Sequence, residues 1–445
     1  MTADKSRPDS ANLTDTMAVF AADTLALHAG QIISEDRGAR AVPIYLSNGF
    51  SYPNADAVAA RHGLMRGGYR DSGIANPTNA VLEERIAALE GGVGGIATAS
   101  GEAALFLAIA TLMGAGSHIV ASDSLRGGPR QLLRAALPRF GIDTTFVPTR
   151  DPASWRAAIR SETRLLIGEA IGLSCLEVLD IPVIAEIAHD HGLPLLVEAT
   201  LATPALLRPI AHGADLVVHA ASGFLGGHGV ALGGLVIDGG RFDWEHGGRF
   251  PLLTEPASDM QDIDCSEESP IAAFLLRARY QGLRDFGASL SPMNAFQILQ
   301  GMETLGLRMT RHVENARAVA AWLAKCPEVA TVCYPELEHH PDHACAQRLL
   351  PNGAGGVLNF ALRKGSGATQ TFLDTLRLFA LRDQIGDAKS VAHHPASMGW
   401  PCADPAQTAD QTDWAATIQL SVGLEDSADL IEDLDRAMQA VRRGR

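Results

Sequence analysis

The sequence predicts an α/β fold with a mostly parallel sheet and a second, smaller unit behind it. Between residues 65 and 301, helical stretches such as 80–90 and 180–191 alternate with short apolar runs such as 119–121 and 195–197. This alternation is typical of βαβ units, in which helices cover both faces of a parallel sheet. The apolar fraction of 47% provides enough material for a sizeable core.

We expect three parts along the chain. An N-terminal arm covers 1–64, a large domain covers 65–301, and a small C-terminal α+β domain covers 302–445. A helical pattern over 292–312 lies at the junction of the two domains. The length of 445 residues is ordinary for two domains with an arm.

The charge balance argues against two classes of partner. The net charge of -15 disfavours nucleic acid and anionic membrane surfaces, and the apolar run 103–113 is too short to span a bilayer. Six scattered cysteines without a C-x-x-C pair indicate reduced thiols. The first twenty residues show no signal-peptide pattern, so we expect a cytoplasmic protein that binds a small molecule or another protein.

The stretch 214–238 reads ADLVVHAASGFLGGHGVALGGLVID. An apolar run at 216–218 is followed by a small, Gly-rich loop at 220–229 and a second apolar run at 232–237. This pattern predicts strand, loop, strand. The loop then lies at a strand end, where α/β proteins usually hold ligands.

This stretch closely resembles the cofactor-lysine segment of the Cys/Met metabolism family of pyridoxal-phosphate (PLP) enzymes, above all the O-acetylhomoserine sulfhydrylases. The blocks 76–92, 184–197, 386–390 and 420–426 keep the family's wording, so the resemblance runs from Asp23 to the end. It implies a fold-type I PLP-transferase-like architecture. It also implies a dimer or tetramer, because the arm of relatives reaches over a neighbouring subunit.

Gly223 occupies the position of the family's lysine. A Schiff base requires a primary amine, which glycine lacks. The chain has only four lysines, and none lies between residues 6 and 324. Of these, Lys389 is the first alternative to consider.

The resemblance assigns other pocket positions, several of which depart from the family. Glu198 stands where relatives hold the pyridine nitrogen with Asp, and Leu173 replaces an Asn. Arg126 replaces the stacking Tyr, and Gln419 replaces an Arg that binds carboxylate. The pocket positions are Gly101, Glu102, Arg126, Leu173, Glu198, Thr200, Ala220, Ser222, Gly223, Ser390 and Gln419, with Tyr69, Arg70 and Asp71 as alternatives for a phosphate-binding tripeptide from the neighbouring subunit.

Three hypotheses on function follow. The first is a pseudoenzyme without any cofactor that acts as a structural or regulatory subunit, in a homo-oligomer or in a hetero-oligomer with an active paralogue. The second is new chemistry on a polar small molecule, for which Arg126, Arg130, Glu198 and Glu102 supply charges. The third is noncovalent use of PLP, or the sulfhydrylase reaction of the family. An ion pair between Arg126 and Glu198 that fills the vacant space is as plausible as a ligand contact.

Several histidines invite a functional interpretation that we do not adopt. His219 and His228 occupy positions where relatives also have His, which favours structural roles. The cluster His339, His340, Asp342 and His343 resembles a metal site, but we expect a solvated helix start and no metal. The segment 399–413 departs from the family, and Trp400, Pro401 and Trp414 are expected near the pocket entrance.

Overall fold

The computed structural model describes residues 20–31, 38–56, 58, 68–260, 262–397 and 414–443. Two mixed sheets form its framework, one of seven strands and one of five. The predicted rearrangement of the pocket entrance by 399–413 lies outside the described residues, except for the backbone of Trp414.

The larger sheet has strand order β1-β7-β6-β5-β4-β2-β3. The strands β6, β5, β4, β2 and β3 are parallel neighbours, whereas β7 runs antiparallel to both β6 and β1. The prediction of a mostly parallel sheet is therefore confirmed. The strands are β1 (Gly94–Thr98), β2 (His118–Ser122), β3 (Asp143–Val147), β4 (Thr163–Glu169), β5 (Leu195–Glu198), β6 (Leu216–Ala220) and β7 (Gly234–Asp238).

The smaller sheet has order β10-β11-β12-β9-β8, and every pair except β10 with β11 is antiparallel. Its antiparallel strands and late position fit the predicted α+β unit, while the domain boundaries at 64/65 and 301/302 stay a prediction. The strands are β8 (Val329–Cys333), β9 (Val357–Leu362), β10 (Ala380–Leu381), β11 (Val391–His393) and β12 (Thr417–Ser421).

Helices surround both sheets, and short 3-10 and π-helical segments join several of them. The α-helices are α1 (Ala22–His28), α2 (Pro77–Glu90), α3 (Gly101–Leu112), α4 (Gly127–Gln131), α5 (Pro152–Ala158), α6 (Ile181–Asp190), α7 (Thr203–Leu206), α8 (Pro251–Thr254), α9 (Cys265–Glu268), α10 (Ala273–Arg277), α11 (Arg284–Phe286), α12 (Pro292–Met302), α13 (Leu305–Leu323), α14 (His343–Leu349), α15 (Ser366–Thr375) and α16 (Ser427–Arg443).

The core lies on both faces of the larger sheet. Side chains alternate along β4, so Leu165 joins the apolar cluster that contains Leu107 of α3, while Leu166 joins the cluster that contains Ile184 of α6. Because both faces are covered by helices, the central strands β4, β5 and β6 carry unbroken apolar runs, at 165–167, 195–197 and 216–218.

One expected helix is two helices in the structure. The pattern over 292–312 is divided between α12 and α13, and the backbone turns at Glu303 and Thr304. The arm helix α1 packs against α2 and α13. Within the described residues, no helix has the length and apolar character needed to cross a membrane.

Candidate functional site

A cavity of about 390 Å³ lies at the carboxyl ends of the central strands of the larger sheet. This is where ligands of open α/β sheets bind, and the volume suits a small molecule. It is lined by Gly101, Glu102, Leu105, Arg126, Gly127, Gly128, Pro129, Glu169, Leu173, Glu198, Thr200, Leu201, Val218, Ala220, Ser222, Gly223, Asp383, Gln384 and Ile385. Nine of the eleven pocket positions named above are among these residues.

The start of α3 forms one side of the cavity. Ser100 caps the helix, because its hydroxyl accepts a hydrogen bond of 3.1 Å from the Ala103 amide. Gly101 follows and faces the end of β6, where a Cβ at this position would lie 2.7 Å from the Cβ of Ala220. Only glycine permits this approach, which brings the first amides of the helix to the cavity.

The end of β5 forms the floor of the cavity. The hydroxyl of Thr200 donates to the buried carboxylate of Glu198 and accepts a 2.8 Å hydrogen bond from the Ala220 amide. Burial raises the pKa of Glu198, and the Thr200 hydrogen bond and nearby His219 oppose that rise. The carboxyl group is therefore held firmly, in an environment that favours its protonated form.

A second carboxyl group lies beside the first. Glu169 ends β4 and is the register partner of Glu198 on the neighbouring parallel strand. Its side chain is buried, and its Oε2 atom has no hydrogen-bond partner among the described residues. Burial, followed by the charge of Glu198, raises the pKa of Glu169 well above its ordinary value.

The guanidinium of Arg126 is anchored away from these carboxyl groups. It donates to the Asp123 carbonyl at 2.9 Å and to the Ser174 hydroxyl at 2.9 Å. Arg126 lines the cavity, but its recorded partners do not include Glu198, so the ion pair considered from the sequence does not form. Arg130 lies over the Phe146 ring, 4.5 Å from its centroid, and is absent from the lining.

Gly223 lies in the loop after β6 and contributes only backbone to the cavity wall. A Cβ at this position would lie 3.3 Å from the Ile385 carbonyl oxygen and 3.5 Å from Cγ2 of Thr200, both lining residues. Its φ angle lies outside the left-handed region. The position therefore admits a side chain with a small shift of its neighbours.

A loop from the smaller sheet closes the opposite wall. Gly386, with φ of 84°, packs so tightly that a Cβ would lie 2.5 Å from the Phe224 amide nitrogen. The Ala388 amide donates to the Gly227 carbonyl at 2.8 Å. Backbone therefore meets backbone where the two loops join, and this places Ile385 opposite Gly223.

Two predicted pocket positions lie outside the lining. Ser390 accepts from the Gly423 amide at 2.8 Å and donates to Glu425 at 2.9 Å. Gln419 donates to the Leu173 carbonyl at 3.1 Å, behind the cavity. Both side chains stabilise loops that form the wall and do not themselves face a ligand.

The alternatives at 69–71 lie beside the arm of their own chain. Asp71 bridges to Gly49, the Arg70 carbonyl accepts from the Phe50 amide at 3.1 Å, and the Tyr69 ring lies 5.7 Å from the Phe50 ring. None of the three lines the cavity described above. Their contact with a neighbouring subunit stays a prediction.

The histidines mostly have structural partners. His219 is fully buried and lies 2.6 Å from Oε1 of Glu90, and His228 lies 2.7 Å from the Gly226 carbonyl. The expectation of a solvated helix start at His339, His340, Asp342 and His343 is wrong in part. His340 and Asp342 are buried because they bond to Cys175 and to Arg150 and Val178 of the larger domain.

Ten lining residues are not among the predicted pocket positions, and these include Glu169, Asp383, Gln384 and Ile385. The sequence did contain an indication that Glu169 lies in the pocket. This acidic residue ends an apolar run and lies four positions before the pocket position Leu173. The other three come from the smaller sheet, and their approach depends on how the two sheets pack, for which no local pattern exists.

A seven-stranded sheet with a cavity at its strand ends and a smaller second sheet is the architecture of fold-type I PLP-dependent proteins. A solved O-acetylhomoserine (thiol)-lyase of Campylobacter jejuni is 34% identical with a TM-score of 0.88, covering 94% of this chain and all of that one. The chain belongs to the Cys/Met metabolism PLP-dependent enzyme family, whose model matches residues 23–439.

Relatives of known description are sulfhydrylases. The O-acetyl-L-homoserine sulfhydrylase of Leptospira meyeri is 41% identical and covers 95% of this chain and 97% of its own length. The homocysteine synthase of Schizosaccharomyces pombe is 40% identical, with coverage of 94% and 98%. The protein is therefore O-acetylhomoserine sulfhydrylase-like over nearly its whole length.

The expectation that the pocket takes no cofactor is wrong. The family is PLP-dependent, and the Campylobacter jejuni structure carries N'-pyridoxyl-lysine-5'-monophosphate. The expectation was based on the substituted contact positions, such as Arg126, Leu173 and Gln419, together with the missing lysine at Gly223.

The residues present fit PLP only in part. A carboxyl group at Glu198 suits a pyridine nitrogen, and the amides at the start of α3 suit a phosphate. Among the described lining residues, however, there is no lysine, and Gly223 supplies no amine. The noncovalent contacts fit and the covalent one does not, so we derive no reaction step through the cofactor.

Proposed function

We propose that this chain is a sulfhydrylase-like pseudoenzyme that holds PLP noncovalently and does not carry out the lysine-dependent sulfhydrylase reaction. The observation that carries the proposal is Gly223, which contributes bare backbone to the wall of the cavity. When bound in an enzyme, PLP stabilises negative charge on an amino-acid substrate, and lysine of the protein both anchors it and moves protons.

Noncovalent retention is supported by two groups that line the cavity. The start of α3 presents amides to an anion, and Glu198 presents a carboxyl group fixed by Thr200. Charge-assisted hydrogen bonds contribute about 1.5–3 kcal/mol each. Two or three such contacts sustain reversible binding in the micromolar to millimolar range.

Loss of the lysine-dependent reaction is supported by the positions of Lys389 and Lys364, neither of which lines the cavity. Lys389 is an exposed residue four positions beyond Ile385, and the Lys364 amine donates to the Val441 carbonyl at 3.2 Å. Lys389 therefore lies on the loop that forms the wall, but its side chain is outside the lining.

Spectroscopy with chemical trapping tests this proposal. The full chain is mixed with PLP, its absorbance is recorded from about 300 to 500 nm, and a portion is treated with borohydride before mass determination. We expect a ligand band that disappears on dialysis, no covalent adduct, and no homocysteine from O-acetylhomoserine and sulfide.

Two results overturn the proposal. A band that survives dialysis together with a trapped adduct means that a lysine reaches the cavity, and repetition with Lys389→Arg identifies whether it is Lys389. No spectral or binding response to PLP overturns the noncovalent part.

We also propose that the chain assembles with a second copy or with an active paralogue. The arm carries exposed apolar side chains at Ile44, Tyr45 and Leu46, which are 36%, 43% and 66% exposed. Light scattering of the purified chain and gentle copurification from the native host test this. A monomer without any associated chain contradicts it.

A further inference from the structure

The ionisable groups of the cavity are unbalanced in sign. Four carboxyl groups, at Glu102, Glu169, Glu198 and Asp383, line it together with one guanidinium, that of Arg126. The guanidinium is engaged by the Asp123 carbonyl and the Ser174 hydroxyl. A ligand with a positive charge at the floor of the cavity is therefore favoured electrostatically.

Two of these carboxyl groups are held side by side by the sheet. Glu169 and Glu198 are register partners on β4 and β5, and the Ala170 amide donates to the Glu198 carbonyl at 2.8 Å next to them. Neighbouring strands lie about 4.8 Å apart, so partners that face the same way have side chains within reach of one bridging donor. Both side chains line the cavity.

The surroundings satisfy Glu198 fully and Glu169 only in part, because the Leu173 backbone hydrogen-bonds to one side of the Glu169 carboxyl group. Thr200 donates through its hydroxyl and its amide to Glu198. Oε2 of Glu169 is buried and has no recorded partner in the described part of the chain. A buried carboxyl oxygen without a partner needs a proton, a donor on its neighbour or a donor on a ligand.

Proximity prevents both groups from ionising independently. Burial and the mutual charge raise the pKa of Glu169, and burial raises that of Glu198. The other charged groups that act on the pair are Arg126, Glu177, Glu102 and His219. Arg126 and His219 favour ionisation and the carboxylates of Glu177 and Glu102 oppose it, and the pKa of each member of the pair stays raised.

We propose that Glu169 and Glu198 form a shared-proton carboxyl pair that binds the protonated nitrogen of a ligand and releases the shared proton to solvent as it does so. The O–H bond of the pair breaks, its proton passes to water or buffer, and the ligand keeps its own N–H and donates it to the pair. The ligand class is a compact phosphate ester with a basic nitrogen. This rests on the proposed function in one respect, namely the noncovalent entry of a pyridoxal-type ligand.

Calorimetry in two buffers tests this step. Pyridoxamine 5'-phosphate, which has no aldehyde to form a covalent bond, is titrated into the full chain at about pH 6.5 in PIPES and in Bis-Tris. The difference in heat gives the protons released per ligand. Phenyl phosphate serves as the matched probe, because it carries the phosphate without a basic nitrogen.

We expect pyridoxamine 5'-phosphate to release about one proton more than phenyl phosphate does. In Glu169→Gln this excess falls below half of the wild-type value. In the control Glu186→Gln, which removes an exposed carboxyl group on α6 outside the cavity, the excess is unchanged. Thermal unfolding verifies that each variant is folded, and Glu198→Gln replaces Glu169→Gln if the latter is not.

The outcomes separate this inference from the proposed function. Binding of pyridoxamine 5'-phosphate with no excess proton release, or with the same excess in Glu169→Gln, overturns the carboxyl pair and leaves noncovalent binding intact. A covalent PLP adduct in the trapping experiment overturns the proposed function, while the proton count still decides the pair. No binding of either probe overturns both.

Discussion

The two walls of the cavity differ in what they offer a ligand. On the sheet side, β4 and β5 deliver two carboxyl groups whose positions are set by strand register and by the Thr200 hydrogen bonds. On the loop side, Gly223 and Ile385 offer mainly backbone. Groups suited to noncovalent recognition and the position for covalent attachment therefore lie in different parts of the protein.

The largest expected effect comes from giving the loop wall an amine. In Gly223→Lys, the side chain starts among Ile385 and Thr200, and its neighbours need to move only a few tenths of an ångström. We expect borohydride to trap about one PLP per chain, compared with none in the wild type. Mass spectrometry of the intact chain measures this.

Gly223→Met is the matched control, because it adds a similar unbranched side chain without an amine. It should yield no adduct. If Gly223→Lys binds PLP but is never trapped, residue 223 does not face the cofactor and the contrast between the two walls is misplaced.

The second effect concerns the pH dependence of stability on the sheet wall. The pKa of Glu169 is raised above its ordinary value of 4.5, so the folded protein binds more protons than the unfolded chain above about that pH. The free energy of unfolding therefore falls as pH rises, by up to about 1.4 kcal/mol for each unit of the raised pKa. Glu169→Gln should flatten this fall.

Urea unfolding at about pH 5, 6, 7 and 8 measures the slope. The control is Glu186→Gln on α6, which removes an exposed carboxyl group. Parallel curves for the wild type and Glu169→Gln would show that Glu169 ionises as easily in the folded as in the unfolded state.

The smallest effect tests how the sheet wall is connected to the loop wall. Thr200→Val removes the hydroxyl that donates to Glu198 and accepts from the Ala220 amide. We expect a loss of about 1–3 kcal/mol in the free energy of unfolding, because the buried Glu198 carboxyl group keeps only the Thr200 amide as a donor and the partly buried Ala220 amide loses its acceptor. Thr200→Ser keeps the hydroxyl and should lose less than half as much. Equal losses in both variants would show that the hydroxyl contributes no more to stability than the methyl group that Thr200→Ser removes.

The sequence predicted the parts of the site that follow local patterns. The apolar runs of β4, β5 and β6 located the strand ends, and these ends supplied Glu198, Thr200 and Gly223. The partnership of Glu169 with Glu198 depends on the register between two strands, which residue patterns do not specify. The anchoring of Arg126 by Ser174 likewise depends on how two loops meet.

The cofactor expectation failed for a different reason. Substitutions at Gly223, Leu173 and Gln419 were counted as losses of ligand contacts, but Gln419 bonds to the Leu173 carbonyl and does not line the cavity. Counting changed residues overestimates lost affinity when some of them never face the ligand. Membership of a PLP-dependent enzyme family contradicts the expectation that the pocket binds no cofactor.

The close approach of Gly386 to Phe224 makes the joint between the two sheets a place where one substitution has a mechanical effect. Any L-residue at 386 carries a Cβ into the Phe224 backbone, and the left-handed φ adds strain. The added Cβ would push the two loops apart and widen the cavity, while every side chain that lines the cavity stays the same. The Ala388 amide, two residues away, donates to the Gly227 carbonyl across this joint. Its hydrogen exchange would become faster as the side chain at residue 386 becomes larger.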